Sequence, residues 1–301
     1  MSIRLSLATA LLVAGVAAAN WPQFRGPDGA GVSAEKGLPT TFGPTENVKW
    51  KADLPGRSVA SPVVFGKKLF ITAASGPRLD RLHVVCLDAD NGKLLWHREL
   101  TATGSTACHP KSSMAAPTPC VNADGVYCLF ATADLAAFDL DGNLKWYRSL
   151  TTDYPNISNQ VGMAASPILW KDFLIVPMDT VGDSFLAALD TKYGKNVWKI
   201  DRPKDTNWVT PTLRAVGDRT EVLFATAKES VAYNAADGKK LWSHAGEGAF
   251  IPTAVLAGDN ILMPFRGGLT CLRPEGQTVA EVWRAPKLAT GYTSPLVYQD
   301  R

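Results

Sequence analysis

The chain has 301 residues, of which 46% are hydrophobic, and carries 31 basic and 28 acidic side chains for a formal net charge of +3. That length is too great for one ordinary sandwich and suits either two domains or one repeat array. The near balance of charge leaves no electrostatic case for nucleic acid or an anionic membrane surface.

Nine Trp, 25 Gly and 20 Pro point to many short strands and turns rather than long helices. Residues 1–19 read as a secretory signal: Arg4, an apolar run from Leu5 to Val16, then Ala17-Ala18-Ala19 at the cleavage position. The run is shorter than the ~20 residues a spanning helix needs, and no later segment offers a transmembrane span. Cleavage near Ala19 predicts an extracytoplasmic protein, periplasmic or secreted. No Cys follows the cleavage point, which argues against a lipid anchor.

Residues 20–45 are rich in Gly and Pro and show no strand period, opening Trp21-Pro22-Gln23-Phe24-Arg25-Gly26-Pro27-Asp28-Gly29. They read as an N-terminal cap over a blade edge or channel mouth, anchored by Trp21 and Phe24; the alternative is a flexible linker.

From residue 46 onward one unit recurs. An apolar strand runs into Asp88, the chain reverses over Asp90-Asn91-Gly92, and a second strand carries Trp96. Asn-Gly between apolar runs is a strong hairpin signal and predicts positive φ at both turn residues. Copies run from Asp139 through Gly142 to Trp146, from Asp190 through Gly194 to Trp198, and from Asn234 through Gly238 to Trp242. A worn copy runs from Leu272 through Gly276 to Trp283.

A proline opens the innermost strand of each copy: Pro62, Pro119, Pro167, Pro211, Pro252 and Pro295, separated by 57, 48, 44, 41 and 43 residues. Proline at a strand's first residue costs no ladder hydrogen bond. Four short strands per period of this length are the signature of propeller blades, and the period of two within each copy excludes a helical solenoid.

Asn47-Val48-Lys49-Trp50 reads as the final strand of a blade whose other strands are absent before it. The fold class is therefore an all-β propeller over residues 46–301, with five complete blades and both ends of another. The incomplete C-terminal blade suggests a truncated chain. The docking tryptophans are Trp50, Trp96, Trp146, Trp198, Trp242 and Trp283.

The pattern Leu87-Asp88-Ala89-x-x-Gly92-Lys93-x-x-Trp96 resembles the tryptophan-docking repeat of the pyrroloquinoline-quinone-like propellers. These include quinoprotein alcohol dehydrogenases and the propeller subunit of the outer-membrane β-barrel assembly machinery. The resemblance implies the fold across the repeats and leaves the activity open, because the motif is a packing device.

The loops before the strand-opening prolines are expected to converge on the channel mouth. His109 and Lys111 on the longest loop, with Arg57, Trp208 and Tyr292, are the candidate ligand-binding residues: donors beside aromatic platforms suit a polar ligand. No catalytic or metal-ligating residue is assigned. Asp179 and Asp183 invite a Ca²⁺ reading but fit a hairpin tip better, and the four histidines show no ligand spacing. Cys86 and Cys271 occupy equivalent repeat positions and read as small core residues, whereas Cys108 and Cys120 could pair.

The leading expectation is a non-catalytic propeller that binds a protein partner or small polar ligand without a cofactor. The resemblance implies scaffolding in outer-membrane protein assembly as one such role. The alternative it implies is a quinone-dependent dehydrogenase with Ca²⁺, whose cofactor ligands lie in missing blades. A sugar-polymer-binding module is a third.

Overall fold

The computed structural model describes residues 20–159, 161–246, 248–288 and 290–299; the expected leader lies outside them. Twenty strands form five separate four-stranded antiparallel sheets, the blades of a β-propeller. Blade 1 comprises β1 (Val63–Phe65), β2 (Lys68–Ser75), β3 (Arg81–Asp88) and β4 (Leu94–Thr101). Blade 2 comprises β5 (Cys120–Asn122), β6 (Gly125–Leu129), β7 (Asp134–Phe138) and β8 (Leu144–Ser149), followed by the one-turn helix α1 (Leu150–Asp153). Blade 3 holds β9 (Ile168–Trp170), β10 (Phe173–Met178), β11 (Phe185–Asp190) and β12 (Asn196–Asp201). Blade 4 holds β13 (Thr212–Val216), β14 (Arg219–Ala225), β15 (Glu229–Asn234) and β16 (Lys240–Ala245). Blade 5 holds β17 (Val255–Ala257), β18 (Asn260–Phe265), β19 (Gly268–Glu275) and β20 (Thr278–Ala285).

Burial explains the composition of each strand. Middle strands are largely buried and chiefly apolar at their centres; every residue of β6 and β7 is buried. Outer strands such as β8 and β12 are solvated and bury chiefly their tryptophan. The first strands of blades 1, 2 and 3 touch one another in sequence, which places them around the central channel.

The repeated hairpin has one construction. Each tryptophan of the outer strand pairs with a small residue on the third strand: Cys86, Ala137, Ala188, Ala232 or Cys271. A register shift follows immediately in every blade, leaving room for a large ring above a small neighbour. Cys86 and Cys271 thus sit in the core at equivalent positions, and all five cysteines are free, Cys108 and Cys120 included.

The indoles join neighbouring blades. Trp50 Nε1 donates to Ala89 O at 3.1 Å, Trp96 to Leu140 O, Trp146 to Thr191 O and Trp198 to Ala235 O, each at 3.0 Å. Each ring lies on the glycine of that same turn. A Cβ on Gly92, Gly142, Gly194 or Gly238 would come within 2.4–2.8 Å of the indole carbons. These glycines also have φ between +69° and +84°, so they are required twice over, for contact and for backbone.

The turn differs from the expected two-residue hairpin. In blade 1 only Gly92 has positive φ, Asn91 does not, and five residues separate β3 from β4. The Asp88 carboxylate accepts the N–H groups of Asp90 and Asn91, and Gly92 N–H returns to Asp88 O. An Asp-headed loop closed by side-chain acceptance replaces the tight turn.

The residues before Pro62, Pro119 and Pro167 form a second blade-to-blade joint. Ser61 N–H donates to Thr118 Oγ1, Thr118 N–H to Ser166 Oγ, and Ser166 N–H to Thr210 Oγ1, each at 3.0 Å. These three prolines therefore follow a hydroxyl residue that clasps its neighbour, whereas Pro252 follows Ile251.

Candidate functional site

Each first strand leaves the face where the pre-proline loops lie, so that face also collects the loops joining second to third strands. The pre-proline loops meet in order around it. Ser113 Oγ donates to Arg57 O at 2.8 Å, and His109 N–H reaches Val161 O at 3.3 Å. Trp208 Nε1 donates to Gly162 O at 2.9 Å, and Trp208 N–H donates to Phe250 O at 2.8 Å.

Arg57, His109 and Lys111 are exposed on this face, and the His109 ring nitrogen Nδ1 accepts Lys111 N–H at 3.1 Å. Trp208 is half-buried, its indole donor is taken by Gly162, and its ring lies 6.0 Å from that of Phe250. Tyr292, 76% exposed, lines a cavity of about 450 Å³ with Phe250, Ile251, Pro252, Phe265 and Arg266. The five candidates thus spread along the face: Tyr292 and Trp208 flank Phe250, the His109 loop and Trp208 meet the adjacent residues Val161 and Gly162, and Arg57 lies beyond on the preceding loop.

Two buried polar clusters on the same face escaped the sequence reading. Asp134, at the start of β7 and fully buried, accepts Thr103 N–H at 3.0 Å, the Thr103 hydroxyl at 2.5 Å and the Thr132 hydroxyl at 2.6 Å. Tyr147 also donates to it; burial first, then this carboxylate, pushes the phenol up to about 12.

In the other cluster Arg202 grips Asp179 through Nε at 2.8 Å and Nη2 at 3.0 Å. Asn207 Nδ2 adds a third donor to Asp179 at 2.9 Å, and Arg202 Nη1 donates to Tyr233 OH. Burial alone would lower the Arg202 pKa; the Asp179 carboxylate outweighs it and holds the guanidinium above its usual value. Asp179 lies in the connection of the β10–β11 hairpin and is also a buried ion-pair partner, while Asp183 Oδ2 accepts Asn156 N–H at 3.0 Å. A polar residue heading an otherwise apolar third strand, as in Asp134-Leu-Ala-Ala-Phe, is the signal that exposes the first cluster.

The related quinoproteins imply a test of fit for a Ca²⁺–quinone pair. Among the described residues the buried carboxylates are Asp134, Asp179 and Glu221. Glu221 is held by Arg214 and Arg219, both at 3.1 Å, and Trp242 Nε1 donates to it at 3.3 Å. All three acids are filled by protein donors, and none offers the free hard oxygens a Ca²⁺ cage requires. These residues do not fit the group. Burial also raises the Cys86 thiol to about 12 and Cys120 well above the ordinary range, so neither supplies a thiolate.

Comparison with known proteins gives a consistent fold. The family described as outer membrane protein assembly factor BamB matches residues 40–176 and 180–296. A polyvinylalcohol dehydrogenase of a Pseudomonas species is 25% identical over 57% of this chain, and one from Sphingopyxis sp. is 25% identical over 52%. The matched parts span 28% and 24% of those relatives' own lengths. Among solved structures, BamB from Moraxella catarrhalis superposes with a TM-score of 0.54 at 20% identity, covering 79% of this chain and 66% of its own. Quinohemoprotein alcohol dehydrogenase from Comamonas testosteroni gives 0.60 at 14% identity, covering 87% of this chain and 49% of its own.

Proposed function

The chain belongs to the family described as outer membrane protein assembly factor BamB, and from that premise we propose that it is a non-catalytic binding propeller of the cell envelope. The observation that carries this reading is the condition of the buried carboxylates on the mouth face. Asp134 and Asp179 are saturated by protein donors and act as struts rather than as free acids. Exposed loops ending in Arg57, Lys111, His109, Phe250 and Tyr292 surround those struts and supply a mixed aromatic and basic surface. Buried struts beneath exposed loops suit recognition.

The expected partner is a protein or a small polar ligand engaged from this face, in an extracytoplasmic compartment reached through the signal at residues 1–19. Among the described residues no helix is long and apolar enough to cross a membrane. A role in outer-membrane protein assembly is the specific form that family membership favours.

A photo-crosslinking amino acid placed at 111 or 292 in cells is expected to capture an envelope component. The same probe at Asn91 or Asp141, on the opposite face, is expected to capture none. Equal capture from both faces, or retention of full binding in a Lys111→Ala/Trp208→Ala variant, would remove the mouth face as the site.

The second reading is a quinone-dependent dehydrogenase, favoured by the likeness to the polyvinylalcohol dehydrogenases. It requires cofactor ligands from outside the described residues. A dye-linked alcohol oxidation by the purified protein would support it.

A further inference from the structure

The segment beginning at Trp21 is a compact knob seated on the edges of the first strands. Its residues first bind one another. Gly26 N–H donates to Gln23 O and Gly31 N–H to Arg25 O, while the Arg25 guanidinium donates to Gly29 O at 3.0 Å and Ala30 O at 2.9 Å. The Trp21 ring folds back onto Gly26, where a Cβ would sit 2.9 Å from the indole and φ is +84°.

The folded knob then meets the channel-facing edges of successive blades. Trp21 exchanges two backbone hydrogen bonds with Val64 of β1, at 2.9 and 2.8 Å. Pro22 O accepts Val121 N–H of β5 at 2.8 Å, and Gln23 Oε1 accepts Leu169 N–H of β9 at 3.1 Å. Val64, Val121 and Leu169 are the middle residues of three-residue strands whose other edge pairs with the second strand. Their amides point at the channel and would lack a protein acceptor without the knob. Arg25 Nη2 reaches on to Pro295 O at 2.6 Å, beyond the fifth blade.

We infer that the knob of residues 21–31 is a separable stopper and clasp of the central channel. It supplies acceptors to three adjacent inner edges, ties them to the segment at Pro295, and opens independently of the blades it bridges. Each part of Trp21-Pro22-Gln23-Phe24-Arg25-Gly26 except Phe24 has an assigned task in that device: edge, acceptor, side-chain acceptor, clasp and hinge. Opening the knob leaves the Val64, Val121 and Leu169 amides, one on each of three first strands, without their acceptors.

The test is hydrogen–deuterium exchange on the full chain and on Gly26→Val, which unseats the Trp21 ring without altering any blade residue. Exchange at Val64, Val121 and Leu169 is expected to rise about fivefold or more, the loss corresponding to one hydrogen bond each, while the third strands keep their protection. A synthetic peptide of residues 20–31 added to this variant is expected to slow those amides again. Gln23→Ala serves where Gly26→Val fails to fold, and should accelerate Leu169 while leaving Val121 unchanged. Unchanged exchange at Leu169 in Gln23→Ala, or simultaneous loss of protection in knob and third strands in a folded Gly26→Val protein, would overturn the inference.

Discussion

Blades 1 to 5 use the same strand order and a small-residue partner for tryptophan, yet the turn glycine receives an indole in blades 1 to 4 and none in blade 5. Trp96, Trp146 and Trp198 are each 8–9% exposed and rest on the glycine of the following blade. Trp283 is 42% exposed beside a cavity of about 480 Å³ lined by Leu256, Leu262, Cys271 and Val297. Gly276 keeps positive φ but has nothing within 4 Å of its Cβ position. The indole that precedes it, Trp242, turns its N–H to Glu221 within its own blade instead. Trp242 is thus the departure from the expected set of docking residues: the Gly276 turn of the next blade does not receive its ring. The difference shows that the docking unit belongs to a pair of blades, so each half of the motif is silent without the other.

The largest expected effects break that comparison at its centre. Trp96→Ala should destabilise by about 3–5 kcal/mol because the cavity lies between blades, whereas Trp283→Ala should stay within about 0.5 kcal/mol. Urea unfolding of the two variants measures both. Equal costs would mean that the Trp283 ring is covered as Trp96 is.

The ion pairs sharpen the same contrast. Asp179→Ala leaves Arg202 buried and unpaired at the junction of blades 3 and 4 and should cost about 3–5 kcal/mol. Its outer counterpart between blades 4 and 5, Glu281 with Arg284 and His244, is over one-third exposed on Glu281 and Arg284. Glu281→Ala should therefore cost about 0–1 kcal/mol, falling with added salt.

The glycines give the next step. Gly142→Ala must accept both the backbone strain at φ +84° and a Cβ 2.6 Å from the Trp96 ring, and should cost about 2–4 kcal/mol. Gly276→Ala meets only the backbone term and should cost about 1 kcal/mol. Thermal unfolding separates them.

The smallest effect is a pH dependence confined to blade 1. His83 is buried, with Nδ1 3.0 Å from His97 Nε2 and Nε2 2.7 Å from Ser75 Oγ. Burial first, then His97 and Arg81, lowers its pKa below 6.5 against the opposing pull of Glu99. A histidine with a depressed folded value supports folding above 6.5 and loses that support as the pH falls through the folded value. The wild-type Tm is expected to drop more steeply than that of His83→Gln between about pH 7 and pH 5. Parallel slopes would show that His83 is not the responsible group.

The repeat made the fold legible. Asp88, Gly92 and Trp96 recur at nearly constant spacing because a turn acceptor, a positive-φ residue and a docking ring are local requirements, each visible in sequence. The prolines marked the inner strands, but the hydroxyls of Ser61, Thr118 and Ser166 before three of them carried the joint, which becomes visible only when neighbouring blades are placed side by side.

The site was less legible because its residues are joined across loops of different length. Asp134 meets Thr103 and Tyr147, and Asp179 meets Arg202 and Asn207, at separations that follow no period. Arg25 was unreadable for the same reason: its partner Pro295 lies 270 residues away.

If the buried acids are struts, the protein binds its partner without a quinone. Calorimetric titration of the purified protein with pyrroloquinoline quinone, in the presence and absence of Ca²⁺, discriminates between the two readings. No Ca²⁺-dependent heat of binding is expected. Tight binding that requires Ca²⁺ would contradict it and place the protein among the quinone-dependent dehydrogenases.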